Sequence, residues 1–441
     1  MNRETQAPAW AVWAAAWPIT AVFMLSNIPT PLLGVWQERI GFSTGTETVV
    51  FAAYIGGLLL ALPFTGALAD RYGTRRVLVP ALAAGLTSCA LFMTAAHVLT
   101  LIVARLLTGV AVGAALSAGT AAVAHVGGPE RRPQAVLAGS VAIGTGLATG
   151  PLLGGSVSQY WAAPTVTVFV LEGVLLLTAL AVVHSLHLPP APASREAPTA
   201  GWLRLPSVPR VNRRGLATSL MAYIPGMTGT SLLLALGPIL LGSLLHTGNR
   251  LVTGGIGFMM FGASTGIQFA IKKLPLGRIL TIAGVVTGIA MLCTATAVRT
   301  HSLALLSVAA VLAGIGQGMG QYGGFSRLGT EVTPTRLAEA NAALSAGGYL
   351  FAGILPILTG YLSDAAGIAT SATVFAALTG AAAVTGSLLV NSARVRTPRP
   401  TGGTADAPPT AATSPSPPPS AAATAAGSAR ITPNRPSRSG R

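Results

Sequence analysis

The sequence is poor in acid, in lysine and in cysteine. Of 441 residues only 11 are Asp or Glu and 2 are Cys, and charged residues of either sign make up 9%, where a soluble domain carries roughly 25%. So little charge cannot cover a water-soluble globule of this length. With 51% hydrophobic residues, the composition excludes a soluble enzyme and a disordered chain alike. Both cysteines, Cys89 and Cys293, fall inside apolar runs. That leaves no support for a disulfide framework or a zinc site, and each reads as a small buried hydrophobe. Lysine occurs only as the adjacent pair Lys272 and Lys273. There is no G-x-x-x-x-G-K-[ST] phosphate loop, so ATP-driven work by this chain is not expected. H-E-x-x-H and G-x-S-x-G are also missing, which leaves a hydrolase neither metal ligands nor nucleophile. No cofactor and no enzymatic activity are expected.

What is present is a series of uncharged runs of membrane-spanning length, among them Thr48–Ala69, Leu106–Ala124, Leu251–Ile271, Ile279–Val298 and Ala340–Ser363. About 20 apolar residues cross the hydrocarbon core. Twelve spans are expected: Val12–Val35, Thr48–Ala67, Val77–Ala96, Leu99–Ala122, Ala135–Gln159, Pro164–Ser185, Leu216–Leu241, Leu251–Ile271, Gly277–Val298, Leu303–Tyr322, Ala340–Leu362 and Ala369–Val390. The first run reads as an uncleaved span, since no small-residue cleavage site follows it.

The formal net charge of +16 suggests a nucleic-acid partner until its distribution is considered. With the N-terminus in the cytoplasm, 23 of the 27 Lys and Arg fall in the inner segments. Only Arg39, Arg250 and Arg299 fall in outer loops, and Arg105 lies inside a span. Basic residues on one side of the bilayer are an orientation signal, so no nucleic acid is expected. The expectation is a multi-pass cell-membrane protein with both termini cytoplasmic.

A repeat runs through the chain. At an offset of 205 residues, Val103–Gly113 faces Val308–Gly318, Arg131 faces Arg336, Pro151 faces Pro356 and Gly155 faces Gly360. In the second span of each half the offset is 200, where Gly66 faces Gly266. Six spans return the chain to its starting side, so a second set of six repeats the first in parallel, with a cavity between the sets. The expected organisation is an N-terminal six-helix bundle (1–186), a Pro/Arg-rich cytoplasmic linker (187–214), a C-terminal six-helix bundle (215–392) and a basic Pro/Ala-rich disordered tail (393–441). The fold class is all-α membrane protein, with twelve transmembrane helices in two parallel-repeat bundles.

After span two the chain reads Gly66-Ala-Leu-Ala-Asp70-Arg71-Tyr-Gly73-Thr-Arg75-Arg76. Gly73 permits a tight turn between spans. Asp70 can bridge to basic neighbours or to a helix N-terminus. The string resembles the cytoplasmic signature of the major facilitator superfamily, G-x-L-A-D-R-x-G-x-R-R. The resemblance implies a two-bundle secondary carrier in which Gly66, Asp70, Arg71, Gly73, Arg75 and Arg76 form a conformational latch. In the second half Ala270 stands at the Asp position, so the latch is confined to the first half.

Span five carries Gly146-Leu-Ala-Thr-Gly150-Pro151-Leu-Leu-Gly154-Gly155. Gly146, Gly150 and Gly154 share one helix face, where another helix can come close, and Pro151 bends the helix. This string and the Arg105-x-x-x-Gly109 of span four resemble motifs of the superfamily's drug:proton antiporter branch. The resemblance implies a leak-preventing helix interface for the first and proton coupling through Arg105 for the second. An intramembrane arginine should face the cavity or snorkel to the interface, and both readings stand open. Glu172 is the one carboxylate placed well inside a span. It reads as a proton carrier or as a structural hydrogen-bonded acid. Span one carries Ser26 and Asn27 where several relatives have an acid.

The family pattern puts spans one, four, seven and ten around the cavity. The candidate lining is Phe23, Asn27, Tyr223, Gln317, Gln321 and Tyr322 with Arg105, joined by Gln268 and Tyr349 from spans eight and eleven. Such a wall suits small amphipathic solutes. The expected function is proton-coupled efflux of such compounds by a monomer in contact with membrane lipid and protons. An uptake permease or uniporter of the same superfamily, and a non-transporting membrane receptor or assembly protein, are the alternatives.

Overall fold

The structure, a computed structural model, describes residues 8–186, 210–243 and 249–395. Its elements are α1 (Ala9–Asn27), α2 (Leu33–Ile40), α3 (Thr44–Tyr72), α4 (Thr74–Met93), α5 (Val98–Ala114), α6 (Thr120–Gly127), α7 (Arg132–Tyr160), α8 (Pro164–Ser185), α9 (Arg213–Ser243), α10 (Arg250–Ala270), α11 (Leu276–Thr300), α12 (Leu303–Glu331), α13 (Pro334–Ala366) and α14 (Ile368–Val395). No strand occurs among the described residues. Residues 187–209 of the expected linker and 396–441 of the expected tail lie outside the described residues.

Eleven helical segments among the described residues are long and apolar enough to cross a membrane, one fewer than the sequence reading. The difference is α10. Its five glycines, with Thr253, Ser264, Thr265 and Gln268, dilute its apolar content. Two expected spans are also not single α-helices. Span one breaks after Asn27, where Pro29 and Pro31 remove two backbone donors in succession. A 3₁₀ turn over Thr30–Leu32 then leads into α2. Span four passes through a π-helical stretch, Ala115–Gly119, between α5 and α6.

The repeat read from the sequence is also a repeat of packing. Within the first half α3 packs on α5, α1 on α7, α4 on α5 and on α8, and α1 on α8. The second half has the equivalent pairs: α10 on α12, α9 on α13, α11 on α12 and on α14, and α9 on α14. Glycines permit the closest of these approaches. A Cβ on Gly109 would strike the Tyr54 carbonyl of α3, and one on Gly314, its repeat mate, would strike the Met260 carbonyl of α10. The halves meet through two equivalent pairs, α3 with α13 and α7 with α10.

Candidate functional site

α3 and α13 are antiparallel neighbours, as are α7 and α10. The bundle therefore has a turn end, where α3 passes into α4 at Gly73, and an opposite far end. A cavity of about 570 Å³ lies between the halves. Its wall includes Phe23 and Ser26 of α1, Phe51 and Tyr54 of α3, Tyr223 and Met227 of α9, Phe261 of α10, Gln317 and Gln321 of α12 and Tyr349 of α13. It reaches Gly66 and Ala67 of α3 and Glu339 and Asn341 of α13 at the turn end. Among the described residues lining it, Glu339 is the one acidic or basic side chain, and it pairs with Arg336 at 3.7 Å. Gln317 donates through Nε2 to the Met227 sulfur at 3.2 Å. Its Oε1, like Asn341 Oδ1, is buried with no partner among the described residues. The wall is thus largely aromatic and aliphatic, with hydroxyl and amide side chains set into it. A solute with an apolar body and hydrogen-bonding groups would complement it.

Of the residues expected in this wall, Phe23, Tyr223, Gln317, Gln321 and Tyr349 line the cavity, and Asn27, Gln268 and Tyr322 do not. Asn27 is 1% exposed and donates to Ser26 Oγ at 3.2 Å. It sits against Gly150 of α7, so its place in the wall falls to Ser26. Gln268 turns back on its own helix, donating to the Ser264 carbonyl at 3.2 Å. Tyr322 packs with Ile271, Ile279 and Met319 between helices of the second half. Adjacent residues on a helix point about 100° apart, so one position separates a lining residue from a packed one. Tyr54, Ser117, Thr230, Ser231 and Ser345 line the cavity as well. Their only sequence signal is a hydroxyl-bearing side chain within an apolar run.

Arg105 is fully buried, its head group turned inward among α1, α3 and α5. It does not line the cavity but lies one layer behind it. The Nη1 donates to the Ser26 carbonyl at 2.7 Å, and the guanidinium carbon lies 5.9 Å from the ring centres of both Phe51 and Tyr54. Ser26 is in the last turn of α1, where carbonyls lack helical partners and the helix dipole is negative. A cation there is well placed to hold the end of α1 against α3 and α5. Its Nε and Nη2 have no hydrogen-bond partner among the described residues. Glu172 is also fully buried, with both carboxyl oxygens unpartnered among the described residues. It lies in α8, outside the cavity wall. A second buried acid, Glu47, stands in the first turn of α3 at 1% exposure with both oxygens likewise unpartnered. It lies one residue before the expected second span, Thr48–Ala67.

The latch residues occupy a helix end and not a loop. Asp70 and Arg71 belong to the last turns of α3, and Gly73 alone separates α3 from α4. At φ +89° Gly73 adopts a conformation that L-residues rarely take. Arg75 and Arg76 follow, exposed, in the first turn of α4, and the Arg71 guanidinium lies over the Tyr72 ring at 5.6 Å. A Cβ on Gly66 would meet open space.

The span-five string has two working faces. A Cβ on Gly146, Gly150 or Gly154 would strike the carbonyls of Thr20, Met24 and Ile28 respectively, one helix turn apart along α1. Pro151 and Gly155 face the other half. A Cβ on Gly155 would come within 2.5 Å of the Arg250 carbonyl, and one on Gly257 within 2.8 Å of the Pro151 Cβ.

Two helical halves built on one repeat, with an amphipathic cavity between them, define a membrane carrier. The comparisons agree. Residues 15–321 match the family model described as Major Facilitator Superfamily, and the chain belongs to that superfamily. It is 24% identical over 367 residues to the multidrug efflux protein YfmO of Bacillus subtilis (strain 168), covering 80% of this chain and 86% of that one. It is 33% identical over 140 residues to human major facilitator superfamily domain-containing protein 10, and that match spans only 29% of this chain and 30% of the relative. Among solved structures, a bacterial homologue of the human lysosomal transporter Spinster, in an inward-facing, unoccupied conformation, superposes with a TM-score of 0.70 at 13% identity. That alignment covers 89% of this chain and 99% of that one.

Proposed function

We propose that this protein is a secondary active carrier that exports small amphipathic compounds in exchange for protons, by alternating access of the cavity between its halves. The observation that carries the reading is the cavity itself, some 570 Å³ with an apolar, aromatic wall and a few amide and hydroxyl groups. The relative YfmO, a multidrug efflux protein, supports the direction of transport. In this reading residues 1–186 and 215–392 are the moving bundles, joined by the cytoplasmic linker 187–214 and followed by the basic tail 393–441, and both termini are cytoplasmic. The turn end is then the cytoplasmic end. Asp70, Arg71, Arg75 and Arg76 serve the latch with Gly66 and Gly73. Gly146, Gly150, Pro151, Gly154 and Gly155 seal the interface, and Arg105 and Glu172 serve proton coupling. The carrier works as a monomer in lipid.

The test is transport in inside-out vesicles with an imposed pH gradient, using compounds chosen from a drug-susceptibility panel in an efflux-deficient host. Uptake into vesicles should follow an acid interior and fall on adding a protonophore. Flux indifferent to the gradient would remove proton exchange and leave a uniporter of the same superfamily.

A further inference from the structure

At the far end the two halves are joined by one hydrogen bond made twice. The Gly45 amide, in the first turn of α3, donates to Asp364 Oδ2 of α13 at 2.9 Å, and the Thr44 amide donates to Asp364 Oδ1 at 3.1 Å. Across the molecule, the Arg250 amide, at the start of α10, donates to Gln159 Oε1 of α7 at 2.9 Å. Gly45 and Arg250 are 205 residues apart, and so are Gln159 and Asp364. That is the offset of the internal repeat. In each case the last turns of one helix supply an acceptor to the amides that open a helix in the other half. The first amides of any helix lack internal partners. Here the helices' own caps take other donors: Ser43 Oγ accepts from the Thr46 amide, and Asn249 Oδ1 from the amides of Leu251 and Val252.

The surroundings are shaped for the contact. A Cβ on Gly45 would fall 2.7 Å from Tyr361 Cδ1 and 2.8 Å from Asp364 Oδ2. Gly155 and Gly360, again 205 apart, let α7 and α13 lie against α10 and α3. The Arg250 Nη1 adds a bond to the Ser158 carbonyl at 3.2 Å. The segment around Asp364 also repeats the latch spacing. Gly360-x-Leu-x-Asp364-x-x-Gly367 matches Gly66-x-Leu-x-Asp70-x-x-Gly73, and both closing glycines have positive φ. A carboxylate in its own helix's last turn opposes that helix's dipole, but it suits the N-terminus of an antiparallel neighbour. The pair α3 and α13 thus carries one such acid at each end.

We propose that Asp364 and Gln159 are the two arms of a far-end clamp, positioning residues that hold the cavity closed on that side and release when it opens there. Asp364 is the stronger arm, because it is charged and accepts two bonds. The proposal rests on the alternating-access reading above.

The test uses the full chain in nanodiscs, with Cys89→Ala and Cys293→Ala as background. Spin labels go on Arg39→Cys and Arg299→Cys at the far end, and in a second preparation on Glu130→Cys and Lys273→Cys at the turn end. Asp364→Ala should lower the ratio of short to long far-end distances roughly fivefold, in the range a lost helix cap gives. Asp364→Asn, which keeps one acceptor oxygen, should lower it less. Gln159→Ala should shift it the same way, and the double variant should multiply the two effects. Gly45→Ala leaves Asp364 in place but sets a Cβ against it and Tyr361, and should also favour the long distances, so the outcome does not hang on one variant folding. A far-end ratio unmoved by both Asp364→Ala and Gly45→Ala would overturn the clamp. Far-end distances that lengthen while turn-end distances do not shorten would overturn alternating access and leave the clamp standing.

Discussion

Arg105 shows how much one buried side chain can be asked to do. Its Nη1 bond to the Ser26 carbonyl closes the end of α1, and its planar head lies near the faces of Phe51 and Tyr54, two residues of the cavity wall. Removing it opens a void and orphans a buried carbonyl. Arg105→Ala should therefore cost about 2 kcal/mol, the scale of a hydrogen bond to a charged group, read as a lower melting midpoint in detergent. It should abolish resistance in the susceptibility panel as well. Arg105→Lys keeps a charge within reach of α1 but lacks the planar fork, and should recover stability better than transport. The signature glycines separate just as sharply. Gly73 sits at φ +89°, so Gly73→Ala is strained by its backbone and should lower the melting midpoint. Gly66 has open space and ordinary helical geometry, so Gly66→Ala should leave the midpoint within error. If the two variants melted alike, the turn at Gly73 would not be a structural requirement.

At the level of helices, the span-five string shows what pattern reading can and cannot supply. That Gly146, Gly150 and Gly154 share a face follows from helical spacing. That this face meets α1 of the same half, while Gly155 and Pro151 meet α10 of the other, depends on tertiary packing. The two faces predict two phenotypes. Gly150→Leu would drive a side chain into the Met24 carbonyl and Asn27 and should reduce folded yield. Gly155→Leu should spare each half and push α7 from α10, lowering transport more than yield. Equal loss of folded protein in both variants would contradict the division. The repeat, the helix order and the charge asymmetry were legible because each is periodic in the sequence. The break after Asn27 was marked by Pro29 and Pro31 yet read as part of a continuous span. The π-helical stretch at Ala115–Gly119 carries no residue that announces it. It was missed along with Ser117, which it brings into the cavity wall. Asn27 and Ser26 are adjacent polar residues in an apolar run, and which of them faces the cavity is set by helix rotation, which depends on the neighbours.

For the whole molecule, orientation and span number stand or fall with α10. By apolar content it falls short of the eleven clear spans. Its 21 residues nevertheless extend about 31 Å at 1.5 Å each, enough for a hydrocarbon core of about 30 Å. It lies antiparallel to α7 and against α12, and two of its five glycines face α7. A Cβ on Gly254 or Gly257 would strike Pro151. A helix sheltered in this way can be less apolar than its neighbours and still cross, because it is other helices that its backbone must fit. The charges point the same way: Arg250 stands at one end of α10 and Lys272 and Lys273 just past the other. Only a crossing puts the lysine pair with the arginines at 75, 76, 131 and 132 on the basic side. We therefore expect reporter fusions after residues 74, 130 and 274 to report the cytoplasm, and fusions after 42, 162 and 301 to report the outside. If α10 does not cross, residue 301 changes sides and the repeat loses its parallel sense. The 205-residue correspondence of Gly45 with Arg250 and Gln159 with Asp364 would then have no membrane frame in which to recur.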